Sequence, residues 1–155
     1  MALATHVETY IRRPVSEVAA YAMDPANDPR WIGGLRSVRR LDGGPLAKGS
    51  RVEREARFMG RTIRYVNEIV AFEPPTRLAM HAVESPFPMD VTYTFTSDRD
   101  TGGTVARIDV AGEPAGFFST LARPLLRAMV VRTVGKDLQR LKRQLEQAPA
   151  SAEPA

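Results

Sequence analysis

The sequence contains no cysteine, and that one absence removes a disulfide framework, a thiol nucleophile and every cysteine-ligated metal site. Histidine is nearly as scarce. His6 and His81 belong to no ligand-spaced cluster and the HExxH pattern is missing, so no metal is expected. No apolar run approaches the roughly 20 residues a membrane span requires. Residues 1–10 also lack the basic leader and apolar core of a secretion signal. The expectation is a cytoplasmic protein with no stable membrane insertion. The segment 43–49 has glycines and a proline for turning but lacks the strand–loop–helix order that aims backbone amides at a phosphate. Serines and threonines are scattered without a nucleophile elbow. No cofactor is expected.

What is present fits one domain. The 155 residues are 43% hydrophobic and 26% charged, ordinary values for a globular chain that needs no staple. The formal net charge is +4, and 19 of the 22 basic residues are arginine. Part of the excess is local: between Phe117 and Gln147, Arg123, Arg127, Arg132, Lys136, Arg140, Lys142 and Arg143 oppose only Asp137 and Glu146. Such a helix face is either solvated or meets an acidic partner or an anionic membrane. Nucleic acid is not an expected partner, because arginines along the strands alternate with acids, as in Arg51, Glu53, Arg54, Glu55 and Arg57.

Periodicity lays out the elements. A first strand over 2–12 leads to Pro14, which suits a helix start, with Val15, Val18, Ala19 and Ala22 at helical spacing. Prolines 25 and 29 break that helix and leave a tight connection or short helix ending at Trp31. Six strands follow, at 35–41, 49–59, 61–72, 77–84, 89–97 and 104–112, with turns at Gly43-Gly44-Pro45, Gly60, Pro74-Pro75, Pro86 and Pro88, and Gly102-Gly103. Short loops between successive strands imply an antiparallel meander. A C-terminal helix carries Leu121, Leu125, Met129, Val134, Leu138, Leu141 and Leu145 on one apolar stripe, and Pro124 either starts it or kinks it. A single α+β domain at 1–147 and a disordered tail at 148–155 are expected.

One helix, about 10 to 12 Å across, cannot fill the concave face of a seven-stranded sheet. The space left over either packs with large side chains or holds a ligand. The period-2 phase turns Val52, Arg54, Ala56, Phe58, Ile63, Tyr65, Asn67, Ile69, Leu78, Met80, Val91, Tyr93, Phe95, Ala106 and Ile108 inward. Phe117, Leu121, Leu125 and Met129 face them from the helix, and Trp31, Phe87 and Met89 close the mouth. Aromatics and methionines with a few polar tips suit an apolar molecule oriented by one or two hydrogen bonds. Each of these residues also fits a plain core role.

Several segments in order resemble one family. They are Ile11 to Val18, Asp24-Pro25 before Pro29-Arg30-Trp31, Gly44-Pro45, Lys48-Gly49, Phe72 to Leu78, Tyr93-Thr94-Phe95, Gly103-Thr104, and Leu138 to Glu146. Over about residues 4 to 147 the chain resembles the helix-grip (SRPBCC) superfamily of steroidogenic lipid-transfer domains, birch-pollen allergens and polyketide cyclase/dehydrase-like proteins, and most of all the last group. The resemblance implies a curved seven-stranded antiparallel sheet gripping a long C-terminal helix around a hydrophobic tunnel, with two short helices between strands 1 and 2. It also implies a hydrophobic small-molecule partner, as members bind lipids, sterols, polyketides or plant hormones. Only framework residues match, so it transfers no catalytic motif.

Three functions stay open. The first is a carrier of a lipid or polyketide-like aromatic molecule. The second is a cyclase or dehydratase using the same cavity, with Tyr65 and Tyr93 as donors, Asn67 as an orienting amide, Arg54 as an electrostatic partner, and Glu84, Asp90 or His81 as a base. The third is a protein-interaction module with a collapsed cavity. A monomer and a homodimer fit equally. An inward base beside an inward donor favours the enzyme, and a wholly apolar cavity favours the carrier.

Overall fold

The computed structural model describes residues 3–147, leaving aside Met59, Phe87 and the side chain of Phe117. The expected tail at 148–155 and the mouth residue Phe87 therefore lie outside the described residues, as does whatever the Phe117 ring does. Seven strands form one antiparallel sheet: β1 Leu3–Ile11, β2 Leu35–Arg40, β3 Arg51–Phe58, β4 Arg61–Glu73, β5 Arg77–Glu84, β6 Met89–Ser97 and β7 Thr104–Gly112. Their spatial order is β1-β7-β6-β5-β4-β3-β2. Strands β2 to β7 are the meander that short loops demand, and β1 pairs with β7 at the far edge. The one long crossing runs from β1 to β2. It contains α1 Val15–Ala22, a 3-10 turn at Pro25–Asn27, and α2 Asp28–Trp31. The long helix α3, Arg123–Gln147, comes after a second 3-10 turn at Gly116–Thr120 and lies against β1 and α2. This is the helix-grip architecture.

Local chemistry sets the boundaries. Pro14 stands in extended conformation just ahead of α1, where its missing N–H costs nothing. The Asp24 carboxylate accepts a hydrogen bond from the Ala26 amide at 3.0 Å and starts the turn that leads into α2. Pairing register then decides what meets on the concave face. Arg54 is opposite Tyr65 and Val52 opposite Asn67, Met80 pairs with Ile69 on one side and Val91 on the other, and Tyr93 is opposite Ile108. Irregularities in the β4–β5 pairing, near Val66/Asn67 and Ile69/Ala71, fit a sharply bent sheet.

The core divides along α3. Leu138, Leu141 and Leu145 in its C-terminal half pack with Ile11, Val18 and Phe95 in the main cluster. In its N-terminal half Leu126 joins Leu3, Ile63 and Phe118 in a smaller one. The structure corrects the phase of that N-terminal half. Leu125 is 52% exposed while Leu126 is buried. Met129 is half-buried, and Leu121 precedes the helix and packs at the margin of the smaller cluster. The cause is geometric. Leu126, Val130, Val134, Leu138, Leu141 and Leu145 advance by steps of three or four, whereas the sequence-level stripe needed a step of five from Met129 to Val134, which rotates a helix well off its face.

Candidate functional site

A cavity of about 240 Å³ lies between the concave face of the sheet, α2 and the N-terminal half of α3. Most of its wall is apolar. Phe58, Ile63, Met80, Met89, Val91 and Ile108 come from the strands, Leu126, Val130 and Val134 from α3, and Phe118 from the preceding turn. The N-terminal half of α3 touches the sheet through Leu126 in the cluster with Leu3 and Ile63, and the cavity lies beside that contact.

Against this apolar wall stands a compact polar group. Arg54 is 5% exposed, and its Nη2 and Nε donate to Asp28 Oδ2 at 2.6 and 3.1 Å while Nη1 donates to Asn67 Oδ1 at 2.8 Å. A stranded buried guanidinium would be costly, and this pairing removes that cost. Burial works against the Arg54 charge, but Asp28 and then the nearby Tyr93 and Tyr65 more than offset it, so its pKa is raised. Burial also lifts the Asp28 carboxyl to about 6 although Arg54 pulls it down.

The pairing leaves donors over. A guanidinium only donates, so Asn67 must turn its carbonyl oxygen to Arg54, and its Nδ2 then has no partner among the described residues. Trp31 Nε1 likewise has none. Asn67 is 2% and Trp31 1% exposed, and both line the cavity. Tyr65 and Tyr93 line it too, and burial raises both phenols so that they remain protonated at neutral pH. Trp31 meets Tyr93 edge-on with ring centroids 5.7 Å apart, which fixes both rings.

One carboxylate on the wall was not among the residues the sequence singled out. Asp137 of α3 lines the cavity at 7% exposure. Its Oδ1 accepts from the Gly33 amide and from Arg140 Nη1, both at 2.8 Å, while no bond to Oδ2 occurs among the described residues. Burial raises its pKa to about 6, with the Gly33 amide and Arg140 pulling the other way. A signal existed: Asp137 shares helical phase with Leu126, Val130 and Leu141. Asp28 gave none, since its partner lies 26 residues away on another element.

Of the residues expected at the cavity, Trp31, Arg54, Phe58, Tyr65, Asn67, Met80, Met89 and Tyr93 are brought together. Phe95, Leu121, Leu125 and Met129 are not. Phe95 is 2% exposed and sits edge-on behind Tyr93, at the end of the strand where α1 and the C-terminal half of α3 close the space. Glu84 and Asp90 are exposed and away from the wall. His81 Nδ1 lies 2.6 Å from Asp90 Oδ1 on the outer side, so neither serves the cavity. Among the described residues no group of histidines and carboxylates could hold a metal ion, and no helix is long and apolar enough to cross a membrane.

Residues 3–146 match the family model described as polyketide cyclase / dehydrase and lipid transport. No curated protein matches in sequence. A protein from Thermus thermophilus superposes with a TM-score of 0.80 at 20% identity, covering 95% of this chain and 99% of the other. The Zhui aromatase/cyclase from a Streptomyces species gives 0.78 at 17% identity, with 95% of each chain covered. A START superfamily protein from Mycobacterium smegmatis gives 0.77 at 11% identity over 94% of this chain and 97% of the other. At these identities the likeness is one of fold.

Proposed function

The chain belongs to the polyketide cyclase/dehydrase and lipid transport family, and from that premise we propose that it binds a compact apolar molecule carrying one or more carbonyl-type oxygens. The observation that carries this reading is the imbalance of hydrogen-bonding groups on an otherwise apolar wall. Asn67 Nδ2 and Trp31 Nε1 are buried donors without acceptors, and leaving such a group unmet costs about 1–3 kcal/mol. A ligand oxygen that accepts from them recovers that cost. The cavity of about 240 Å³ lies just under the roughly 300–1,000 Å³ common for small-molecule sites. That size favours a mono- or bicyclic compound over a long acyl chain.

A second reading rests on Asp137. Its free Oδ2, and a pKa of about 6 that keeps it mostly ionised at neutral pH, suit a base that takes a proton from the carbon next to a carbonyl. The Asn67, Trp31 and tyrosine donors then stabilise the enolate oxygen that forms. Ring closure or dehydration of a ligand held in the cavity follows from that pairing.

Native mass spectrometry of freshly purified protein, with organic extraction of whatever it retains, tests the binding reading. A retained carbonyl compound, or uptake of a fluorescent apolar ketone that Asn67→Leu weakens, is the expected result. A protein that emerges empty and also rejects the probe overturns it. The Asp137→Asn variant separates the two readings: it binds as well as wild type under both, and it loses turnover of an aromatic poly-carbonyl precursor only under the second.

A further inference from the structure

The outward side of α3 gathers exposed basic side chains that have no acidic partner. On the sheet, Arg39 and Arg64 both meet Glu53, Arg51 meets Glu68, and Arg107 meets Asp109 and Glu8, while exposed Arg30, Arg36, Arg57 and Arg99, which make no ion pair among the described residues, are scattered along the chain. On α3, Arg127, Arg132, Lys136 and Arg143 are all exposed and make no ion pair among the described residues. The chain has no acidic residue between Glu113 and Asp137, and Asp137 faces the cavity. The outer face of the first four turns is therefore cationic without compensation.

Apolar surface adjoins it. Leu125 is 52% exposed, one of the large hydrophobic side chains the fold leaves uncovered, and Met129 one turn on is half-buried. At 100° per residue, Leu125, Met129, Arg132, Lys136 and Arg143 fall on one stripe, which runs about 27 Å along the helix. Its N-terminal end is apolar and its remainder basic. On the other side of the same turns, Leu126 and Val130 form part of the cavity wall.

We propose that this stripe docks the protein on an anionic lipid surface. Leu125, with the half-buried Met129 beside it, settles at the acyl boundary while Arg132, Lys136 and Arg143 engage headgroup phosphates. An acidic protein or a nucleic acid satisfies the cations but gains nothing from the bare leucine; a lipid interface uses both. Docking in this pose sets the outer side of the helix that walls the cavity against the bilayer, and it does not depend on the binding function proposed above.

Flotation of the full chain with vesicles tests it. Vesicles containing about 30% phosphatidylglycerol should retain the protein at least tenfold more strongly than phosphatidylcholine alone, and about 0.5 M NaCl should remove most of that difference. Arg132→Glu with Lys136→Glu should weaken retention at least tenfold, and Leu125→Ser about threefold, whereas Arg36→Glu with Arg99→Glu, exposed arginines on other elements, should change it less than twofold. Circular dichroism checks that each variant is folded, which the exposure of the altered residues leads one to expect. Equal retention on neutral and anionic vesicles overturns the proposal. So does an equal loss in the control pair, or binding to a soluble polyanion that competes fully and ignores Leu125→Ser. Uptake of an apolar probe in vesicle-free buffer reports on the cavity alone, so failure of docking and failure of ligand binding are distinguishable.

Discussion

Replacing Arg54 by methionine keeps most of its length but removes the charge that Asp28 and Asn67 both rely on. Asp28 is then left at 1% exposure with no cation, and Asn67 Oδ1 loses its donor. Breaking one side of a buried ion pair costs about 3–5 kcal/mol, a large part of the roughly 5–15 kcal/mol that holds a domain together. Removing both charges with Asp28→Leu/Arg54→Met should return most of that loss. About 1–3 kcal/mol should remain, because Asn67 is still unmet. The pH dependence sharpens the test. Without Arg54 the Asp28 carboxyl rises beyond its present pKa of about 6, so the folded variant prefers the protonated acid. Its penalty should shrink as the pH is lowered to about 5, where the proton is bound, and be largest above neutrality. Urea denaturation of the wild type, both single variants and the double variant at two pH values measures this. Arg54→Lys, which keeps the charge and loses the fork, provides a folded intermediate should Arg54→Met prove too unstable. An Arg54→Met penalty under about 1 kcal/mol at neutral pH, or a double variant as damaged as the single penalties combined, would refute the argument that the pair is a single buried unit.

Other outcomes follow from the same geometry. Tyr93→Phe should weaken an oxygenated ligand by about 1 kcal/mol if its hydroxyl donates into the cavity, and unchanged affinity by titration calorimetry removes Tyr93 from the site. Gly34 has φ +79°, and a Cβ there would come 2.6 Å from the Arg57 carbonyl oxygen; Gly34→Ala should cost at least about 2 kcal/mol by urea denaturation, whereas Gly44→Ala, at a similar φ in open space, should cost about 1. Asp137 binds its proton more tightly when folded, its pKa rising from 3.8 to about 6, which corresponds to roughly 3 kcal/mol of stability that is present in acid and lost as pH rises through that range. Asp137→Asn should flatten this fall in pH-dependent melting curves. Glu146, held down to about 2 by Lys142 and Arg12 against the effect of burial, has the opposite sign and loses its contribution as pH drops below about 4.

The strands were legible because alternation and turn residues are local signals. All seven lie close to where the residues put them, and the inward phase of β3 and β4 placed Arg54, Phe58, Tyr65 and Asn67 at the cavity. The helix face was harder to read. Leucines at 121, 125, 138, 141 and 145 fit two overlapping stripes, and only the start of α3 at Arg123, with β1 and α2 as its neighbours, shows that Leu126 and not Leu125 turns inward. Phe95 had the right phase along its strand and the wrong position, because α1 and the end of α3 close over it.

The sequence by itself determined the architecture: the order of elements, the antiparallel meander, the amphipathic helix and a surplus of concave apolar surface. Those follow from periodicity and turn chemistry, which act over a few residues. Tertiary structure alone decided how the polar groups are paired. Asp28 reaches Arg54 from 26 residues away, and the Gly33 amide reaches Asp137 from 104 residues away. Which donors are spent and which stay open to a ligand depends on contacts between elements whose separation along the chain carries no local signature.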